Sequence, residues 1–179
     1  MTTTTAHPTS MTAIRHGTPI GPLTLAATEH GLVTCSFIPP DQIPARLLGT
    51  DSPAAQAWLD QARTELDHYF AGTLQSFTVP LDLSLPGKFD RSVLSALTKV
   101  TYGTTTTYGR LTTGLNRPQT DARKVGAALA RNPLVIILPC HRVVGTNNTL
   151  TGYAGGLPAK RHLLDLESGM PQLNLNLYG

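Results

Sequence analysis

A cysteine followed directly by a histidine, Cys140-His141, is the pair best suited to nucleophilic chemistry in this sequence. The pair follows an apolar run, 134–138, and Pro139. A thiol with an ordinary pKa of about 8.5 is a weak nucleophile at neutral pH, so a nearby base or positive charge must help to ionise it. Cys140 on its own could be an inert core residue, a metal ligand or an activated nucleophile. A metal site is disfavoured, because no group of Cys and His residues shows ligand spacing.

A longer pattern surrounds this pair. It consists of Asn132-Pro133, Pro139-Cys140-His141-Arg142-Val143, Tyr153-Ala154-Gly155-Gly156-Leu157 and Lys160. The pattern resembles the signature of the O6-alkylguanine-DNA alkyltransferase family, for which the Pro-Cys-His-Arg-Val pentapeptide in this setting is highly specific. The resemblance extends from about Tyr69 to Glu167 and is weaker over the first half of the chain. The resemblance favours the interpretation of Cys140 as an activated nucleophile.

The resemblance implies a catalytic set made of Cys140, His141, Glu167, Asn132 and Tyr108. Cys140 would accept the alkyl group, His141 would act through a water to form the thiolate, and Glu167 would orient His141. Asn132 would brace the turn that holds the thiol. Tyr108 would protonate the departing guanine and help to rotate its nucleotide out of the duplex. The product thioether does not hydrolyse, so each molecule would act once.

A second set implied by the resemblance would contact the flipped base or the DNA. Its members are Arg123, Tyr153, Val143, Ala154, Lys160 and Arg142. Arg123 would fill the gap in the base stack, Tyr153 would form a wall of the pocket, and Lys160 would support the proton-transfer region. Backbone atoms at Val143 and Ala154 would contact the guanine edge. No cofactor and no metal are implied, since the N-terminal zinc ligands of some members are missing here.

Two other functions compete with alkyl transfer. One is a lesion-binding module of the same fold, although such modules replace the acceptor cysteine that is present here. The other is a cysteine hydrolase using Cys140, His141 and Glu167, which would need turnover and an oxyanion hole. One sequence does not decide between O6-methylguanine, larger O6-alkyl groups and O4-methylthymine as the lesion.

The distribution of charge separates the chain into two halves. Residues 1–85 carry three basic and seven acidic side chains (−4), whereas residues 86–179 carry eleven basic and four acidic ones (+7). This asymmetry is typical of a second domain that faces an anionic partner, although a solvated basic surface would have the same composition. With the resemblance, it predicts double-stranded DNA containing O6-alkylguanine as the partner. We expect a cytoplasmic protein, nucleoid-associated in a bacterium, with no membrane partner. It should be monomeric in solution, and cooperative assembly on DNA remains open.

The first half has the pattern of a small α+β unit. Strands are predicted at 23–27 and 32–37 around a turn, and alternating apolar residues predict another strand over 77–83. A helix is predicted to begin at Pro53, with Asp51 or Ser52 as its cap, and to stop at Gly72. Its packed face is predicted to carry Trp58, Ala62, Leu66, Tyr69 and Phe70. The threonine-rich residues 1–12 are expected to be a disordered leader. The resemblance implies a ribonuclease-H-like fold for this α/β domain, 13–85.

The second half, 86–172, begins after a boundary at Leu85-Pro86-Gly87. One helical face is predicted to carry Phe89, Val93, Leu97 and Val100. Short helices at 108–115 and 121–130, joined by a turn with Pro118, indicate a helix-turn-helix. A last helix should begin at Pro158 and end at Gly169, before a tail at 173–179. The predicted class is therefore α+β: a small α/β domain followed by a mainly helical winged helix-turn-helix domain.

The turn before the predicted recognition helix departs from the family pattern. The spacing from Pro118 to Arg123 is one residue longer than the commonest one, and Asp121 stands where a small residue is usual. A carboxylate at a helix N-terminus favours the helix dipole but repels DNA phosphates. We therefore expect an altered turn geometry and altered DNA affinity.

Overall fold

The first half of the chain folds around a three-stranded antiparallel meander. The computed structural model describes residues 11–44, 47–49 and 52–169. The strands are β1 (Thr12–His16), β2 (Leu23–Thr28) and β3 (Gly31–Ser36), in the order β1-β2-β3. Every residue of β2 is buried. Leu23, Leu25 and Ala27 join the main core, whereas Ala26 packs with Met11 and Val33 in a smaller cluster on the other side.

Helix α1 (Pro53–Phe70) covers the main-core face of this sheet. The Ser52 hydroxyl accepts a hydrogen bond from the amide of Ala55 at 3.4 Å, and Pro53 occupies the first turn, where a missing N–H costs least. Leu59, Ala62 and Leu66 are fully buried at helical spacing. The predicted helix bounds are therefore close to the observed ones.

The predicted strand over 77–83 is wrong. Within this segment only an isolated bridge between Leu32 and Leu81 is present. The Glu65 carboxylate on α1 accepts the amides of Thr78 and Val79 at 2.9 and 3.2 Å, so these donors are satisfied without a sheet partner. The predicted leader, 1–12, extends too far, because Met11 is buried and β1 begins at Thr12; residues 1–10 lie outside the described residues.

The second half is mainly helical. Its elements are α2 (Lys88–Leu97), β4 (Thr106–Thr107), α3 (Tyr108–Gly114), α4 (Ala122–Ala130), β5 (Val143–Val144) and α5 (Gly156–Ser168). Strands β4 and β5 pair in parallel. A turn through Pro118 and a 3₁₀ segment, Gln119–Asp121, joins α3 to α4 in a helix-turn-helix. Val100 lies beyond the end of α2, and α5 begins two residues before the predicted start at Pro158.

The two halves share one core, which joins the sheet to the segment before Cys140. The amide of Cys35 donates to the carbonyl of Pro133 at 2.7 Å, and the amide of Val135 donates to the carbonyl of Cys35 at 2.8 Å. The predicted class, a small sheet domain followed by a helical domain, is confirmed. None of the helices in the described ranges is long and apolar enough to cross a bilayer.

The close approach of β3 to residues 80–81 is tested by Gly31→Ala. Gly31 has φ +153°, and an added Cβ would lie 2.6 Å from the Pro80 carbonyl oxygen. We expect the free energy of unfolding, measured by urea denaturation, to fall by about 2–3 kcal/mol from the combined backbone strain and overlap. Gly17→Ala is the matched control, because its added Cβ meets nothing within 4 Å. Equal effects of the two substitutions would show that Gly31 is not confined in this way.

Candidate active site

A tight, braced turn presents Cys140. The side-chain amide of Asn132 donates to the carbonyl of Leu138 at 2.8 Å, and its oxygen accepts the amide of Leu134 at 3.0 Å. Between these contacts Ile136 has a positive φ of 73°, a strained conformation for a β-branched residue. Asn132 thus connects both ends of the turn, as the family resemblance implies. Its two hydrogen bonds fix the backbone that leads from the apolar run to Cys140.

The thiol of Cys140 is nearly buried, with the residue 8% exposed. Burial raises the pKa of this thiol above its usual value, and the Asn132 amide and the Lys160 ammonium offset only part of the rise. Cys140 is therefore a protonated thiol at neutral pH. Its nucleophilic form requires a base within the site.

His141 has the protonation state and tautomer that such a base needs. Burial lowers the pKa of this imidazole, more than the neighbouring carboxylate raises it. Its Nε2 lies 2.8 Å from Oε1 of Glu167, and an ionised carboxylate can only accept, so the ring proton is on Nε2. Nδ1 is then the unprotonated nitrogen. It is buried and has no hydrogen-bond partner among the described residues.

Glu167 collects hydrogen bonds from three separate segments of the chain. Oε1 accepts from His141, from the Tyr69 hydroxyl at 2.7 Å and from Arg142 Nη2 at 2.9 Å. Oε2 accepts from Arg142 Nε at 2.8 Å and from the backbone amide of Gly103 at 3.3 Å. Although burial acts in the opposite direction, these donors lower the pKa of Glu167 from its usual value near 4.5 to about 2. A carboxylate in the last turn of α5, unfavourable for the helix dipole, is stabilised by these partners.

Two members of this network differ from the expectations drawn from sequence. Arg142, placed among the DNA-contacting residues, is instead buried, and it bonds to Glu167 and to the carbonyl of Val100. Tyr69 received only a core position on α1, yet its hydroxyl binds Glu167 across 98 residues of sequence. The helical pattern predicts a fully buried position at Tyr69. A buried tyrosine hydroxyl needs a hydrogen-bond partner, so the sequence could have indicated that Tyr69 binds a polar group.

A cavity of about 330 Å³ opens onto the thiol. Its lining consists of Tyr108, Gly126, Leu129, Ala130, Cys140, Gly152, Tyr153 and Ala154. The ring of Tyr153 meets those of Phe37 and His141 edge-on, with centroids 6.0 and 6.4 Å away. Its buried hydroxyl has no partner within the described part of the chain. The aromatic walls suit a planar ligand such as a nucleobase.

Lys160 and Tyr108 complete the surroundings of this cavity. Lys160 is fully buried, and its ammonium donates to the carbonyls of Val143 and Thr151 at 2.7 and 3.0 Å. Burial lowers the pKa of this lysine. Tyr108 is the first residue of α3, and its hydroxyl accepts a hydrogen bond from Thr151 at 3.0 Å. The Val143 carbonyl is thus already engaged by Lys160.

The exposed side of the helix-turn-helix carries positive charge. Arg123 and Lys124 are exposed near the start of α4. Asp121, the residue that departs from the family pattern, lies 2.9 Å from Lys124 Nζ and 3.3 Å from Arg117 Nη1. The side-chain hydrogen bond from Lys124 contributes most to lowering the pKa of Asp121. The carboxylate that sequence analysis expects to repel phosphate is therefore paired with two cations.

Two family profiles cover most of the chain. Residues 16–83 match the ribonuclease-like domain of 6-O-methylguanine DNA methyltransferase, and residues 88–169 match its DNA-binding domain. The chain belongs to this family. The gap between the two matches contains Leu85-Pro86-Gly87, the predicted boundary.

Several relatives in this family resemble the chain over nearly their whole length. The methylated-DNA–protein-cysteine methyltransferase of Mycobacterium tuberculosis is 41% identical over 160 residues, 89% of this chain and 94% of the relative. That of Methanosarcina acetivorans is 42% identical over 150 residues, 83% and 93% of the two chains. The crystal structure of M. tuberculosis O6-methylguanine methyltransferase has a TM-score of 0.77 at 38% identity, with 94% and 99% of the chains covered. The M. tuberculosis protein in complex with DNA has a TM-score of 0.77 at 37% identity, covering 95% and 99%.

The charge network is tested by Glu167→Gln. The variant leaves the Arg142 guanidinium buried without its anionic partner, so at pH 7 we expect the free energy of unfolding to fall by about 3–5 kcal/mol. Because the folded-state pKa of about 2 lies below the usual 4.5, ionised Glu167 stabilises the folded chain above pH 4.5, and this effect is lost as pH falls toward 2. The difference between wild type and variant should therefore shrink in urea titrations from pH 5 to pH 3.

The control for this titration is Glu29→Gln. The Glu29 side chain is 70% exposed and lies at the β2–β3 turn, so its substitution should change stability by less than about 0.5 kcal/mol. A difference between Glu167→Gln and wild type that stays constant with pH would contradict a depressed pKa for Glu167.

Proposed function

We propose that this protein repairs DNA by direct reversal, moving an alkyl group from O6-alkylguanine to Sγ of its own Cys140. The observation that carries the proposal is a nearly buried thiol at the wall of a base-sized cavity, beside a neutral histidine whose Nδ1 is unprotonated and unpaired. The names of the M. tuberculosis and M. acetivorans relatives and the M. tuberculosis structure with DNA support the same reaction. The protein would act as a monomer in the DNA-containing compartment, cytoplasm or nucleoid.

The first chemical step is formation of the thiolate. The Cys140 proton passes, through a water, to Nδ1 of His141, and the imidazolium is stabilised by Glu167 through Nε2–H. Burial lowers the pKa of the imidazole, and Arg142, which binds the same carboxylate, lowers it further, so His141 is neutral at rest. The base is therefore available when substrate arrives.

The second step is an in-line displacement at the alkyl carbon. The thiolate forms a C–S bond as the carbon–O6 bond breaks, and the electron pair of that bond remains on the guanine. The Tyr108 hydroxyl protonates the departing base, so that neutral guanine is released, and is reprotonated from solvent. The stable thioether ends the activity of that molecule, which makes the repair stoichiometric.

The target atom reaches the thiol only if the nucleotide leaves the duplex. Flipping a base costs a few kcal/mol, and a side chain that fills the vacated stack offsets part of that cost. Arg123 is exposed on α4 and is proposed for this role. Basic residues around it would bind phosphates without regard to base sequence.

Alkyl transfer is tested by intact-mass spectrometry after mixing the protein with a duplex containing O6-methylguanine. Replacement of the thiol proton by a methyl group should add about 14 Da once per molecule. The added mass should be on the peptide that contains Cys140 and should remain there as a stable thioether. Cys140→Ser is the matched control and should show no gain. Turnover beyond one equivalent would indicate a hydrolase, and lesion-specific binding without any gain would indicate a lesion-binding module.

The role of Arg123 is tested by Arg123→Ala. We expect the rate of repair in duplex DNA to fall by about 10- to 100-fold, because the flipped state loses a few kcal/mol of support. The rate with free O6-methylguanine base, which needs no flipping, should be unchanged. Lys124→Ala is the control on the same helix, and it should lower the slope of log affinity against log salt by about 1 without selective loss of repair. Equal losses of Arg123→Ala on free base and duplex would contradict the role.

A further inference from the structure

The hydroxyl of Thr151 contacts the group that the proposed mechanism uses as its proton donor. Oγ1 of Thr151 lies 3.0 Å from the hydroxyl oxygen of Tyr108. Thr151 precedes Tyr153 by two residues, and it is not part of the cavity lining. The mechanism described above gives it no role.

The direction of this hydrogen bond matters for catalysis. A tyrosine hydroxyl has one proton to donate and two lone pairs that can accept. Thr151 donates into one of these lone pairs, so the single proton of Tyr108 remains free for a base in the cavity. The contact also restricts rotation of the Tyr108 hydroxyl, because its oxygen must keep a lone pair aligned with Thr151.

Thr151 is itself held from two sides. Its carbonyl accepts a hydrogen bond from the fully buried ammonium of Lys160 at 3.0 Å. Its methyl group faces Gly145, where an added Cβ would lie 3.1 Å from Cγ2. A β-branched side chain has few rotamers, and the Thr151 backbone is anchored by Lys160, so its hydroxyl has few positions from which to donate.

The ring of Tyr108 is supported separately. It lies against Gly126 of α4, where an added Cβ would be 3.6 Å from the ring. Packing on α4 fixes the plane of the ring, but it leaves the hydroxyl hydrogen free to rotate. Within the described residues, Thr151 makes the hydrogen bond that orients that hydrogen.

We infer that Thr151 is a positioning residue for alkyl transfer, which aims the Tyr108 proton at the departing base, and that Lys160 acts through it. The inference rests on the proposed function. Because the contact acts on proton donation and not on DNA, its loss lowers the rate of transfer in the bound complex and leaves binding unchanged.

The test compares Thr151→Val, which keeps the branched shape and removes the hydroxyl, with Thr151→Ser, which keeps the hydroxyl. Single-turnover methyl transfer is followed with protein in excess over an O6-methylguanine duplex. We expect Thr151→Val to lower the rate at saturation by about 10-fold, part of what a general acid contributes. The half-saturating concentration should stay within about 2-fold, and Thr151→Ser should stay within about 3-fold of wild type.

A double-mutant cycle with Tyr108→Phe separates this role from a structural one. If Thr151 acts through the Tyr108 hydroxyl, Thr151→Val should cause no further loss of rate once that hydroxyl is absent. An equal loss in both backgrounds would overturn the inference. If valine prevents folding, as shown by a lost thermal transition, Thr151→Ala replaces it in the same comparison with Thr151→Ser.

The outcomes also separate this inference from the proposed function. A wild-type protein that never methylates Cys140 would overturn both. A wild type that methylates Cys140, with Thr151→Val as fast as wild type, would overturn the role of Thr151 alone.

Discussion

The site depends on one buried carboxylate. An anion at the centre of a packed structure is strongly unfavourable unless several donors surround it. Glu167 has such donors on α1, in the turn that carries Cys140, and in the backbone at Gly103, whose amide is 3.3 Å away. Because each donor must reach the same two oxygens, the three segments have one relative arrangement. The N-terminal half therefore contributes directly to the geometry of the site, through the Tyr69 hydroxyl.

The same carboxylate adjusts the chemistry of the site. A carboxylate partner on its own would raise the pKa of a histidine. Here Arg142 shares Glu167, and burial disfavours a charged imidazole, so His141 is neutral with its free nitrogen on Nδ1. Burial also keeps the Cys140 thiol protonated. A protonated thiol is a weak nucleophile until a base removes its proton.

Part of the positive charge of the second half lies on the helix-turn-helix. Asp121 is an acidic residue in a place where DNA phosphates would be repelled, yet Arg117 and Lys124 flank it. The pairing ties the longer turn to the first turn of α4, next to Arg123. Arg123 and Lys124 themselves remain exposed on this surface.

The sequence by itself determined the features that depend on neighbouring residues. Ser52-Pro53 and Gly72 mark the ends of α1, Pro118 marks the turn before α4, and the pentapeptide around Cys140 indicates the residues proposed as nucleophile and base. Tertiary structure decided the features that depend on distant partners. The alternating residues of 77–83 do not form a strand, because Glu65 takes the amides that a sheet would need. Arg142 has a charge that suits DNA, but Glu167 holds it in the interior. Helix caps and periodicity act over a few residues, whereas the partner of a buried polar group is chosen only when the chain closes around it.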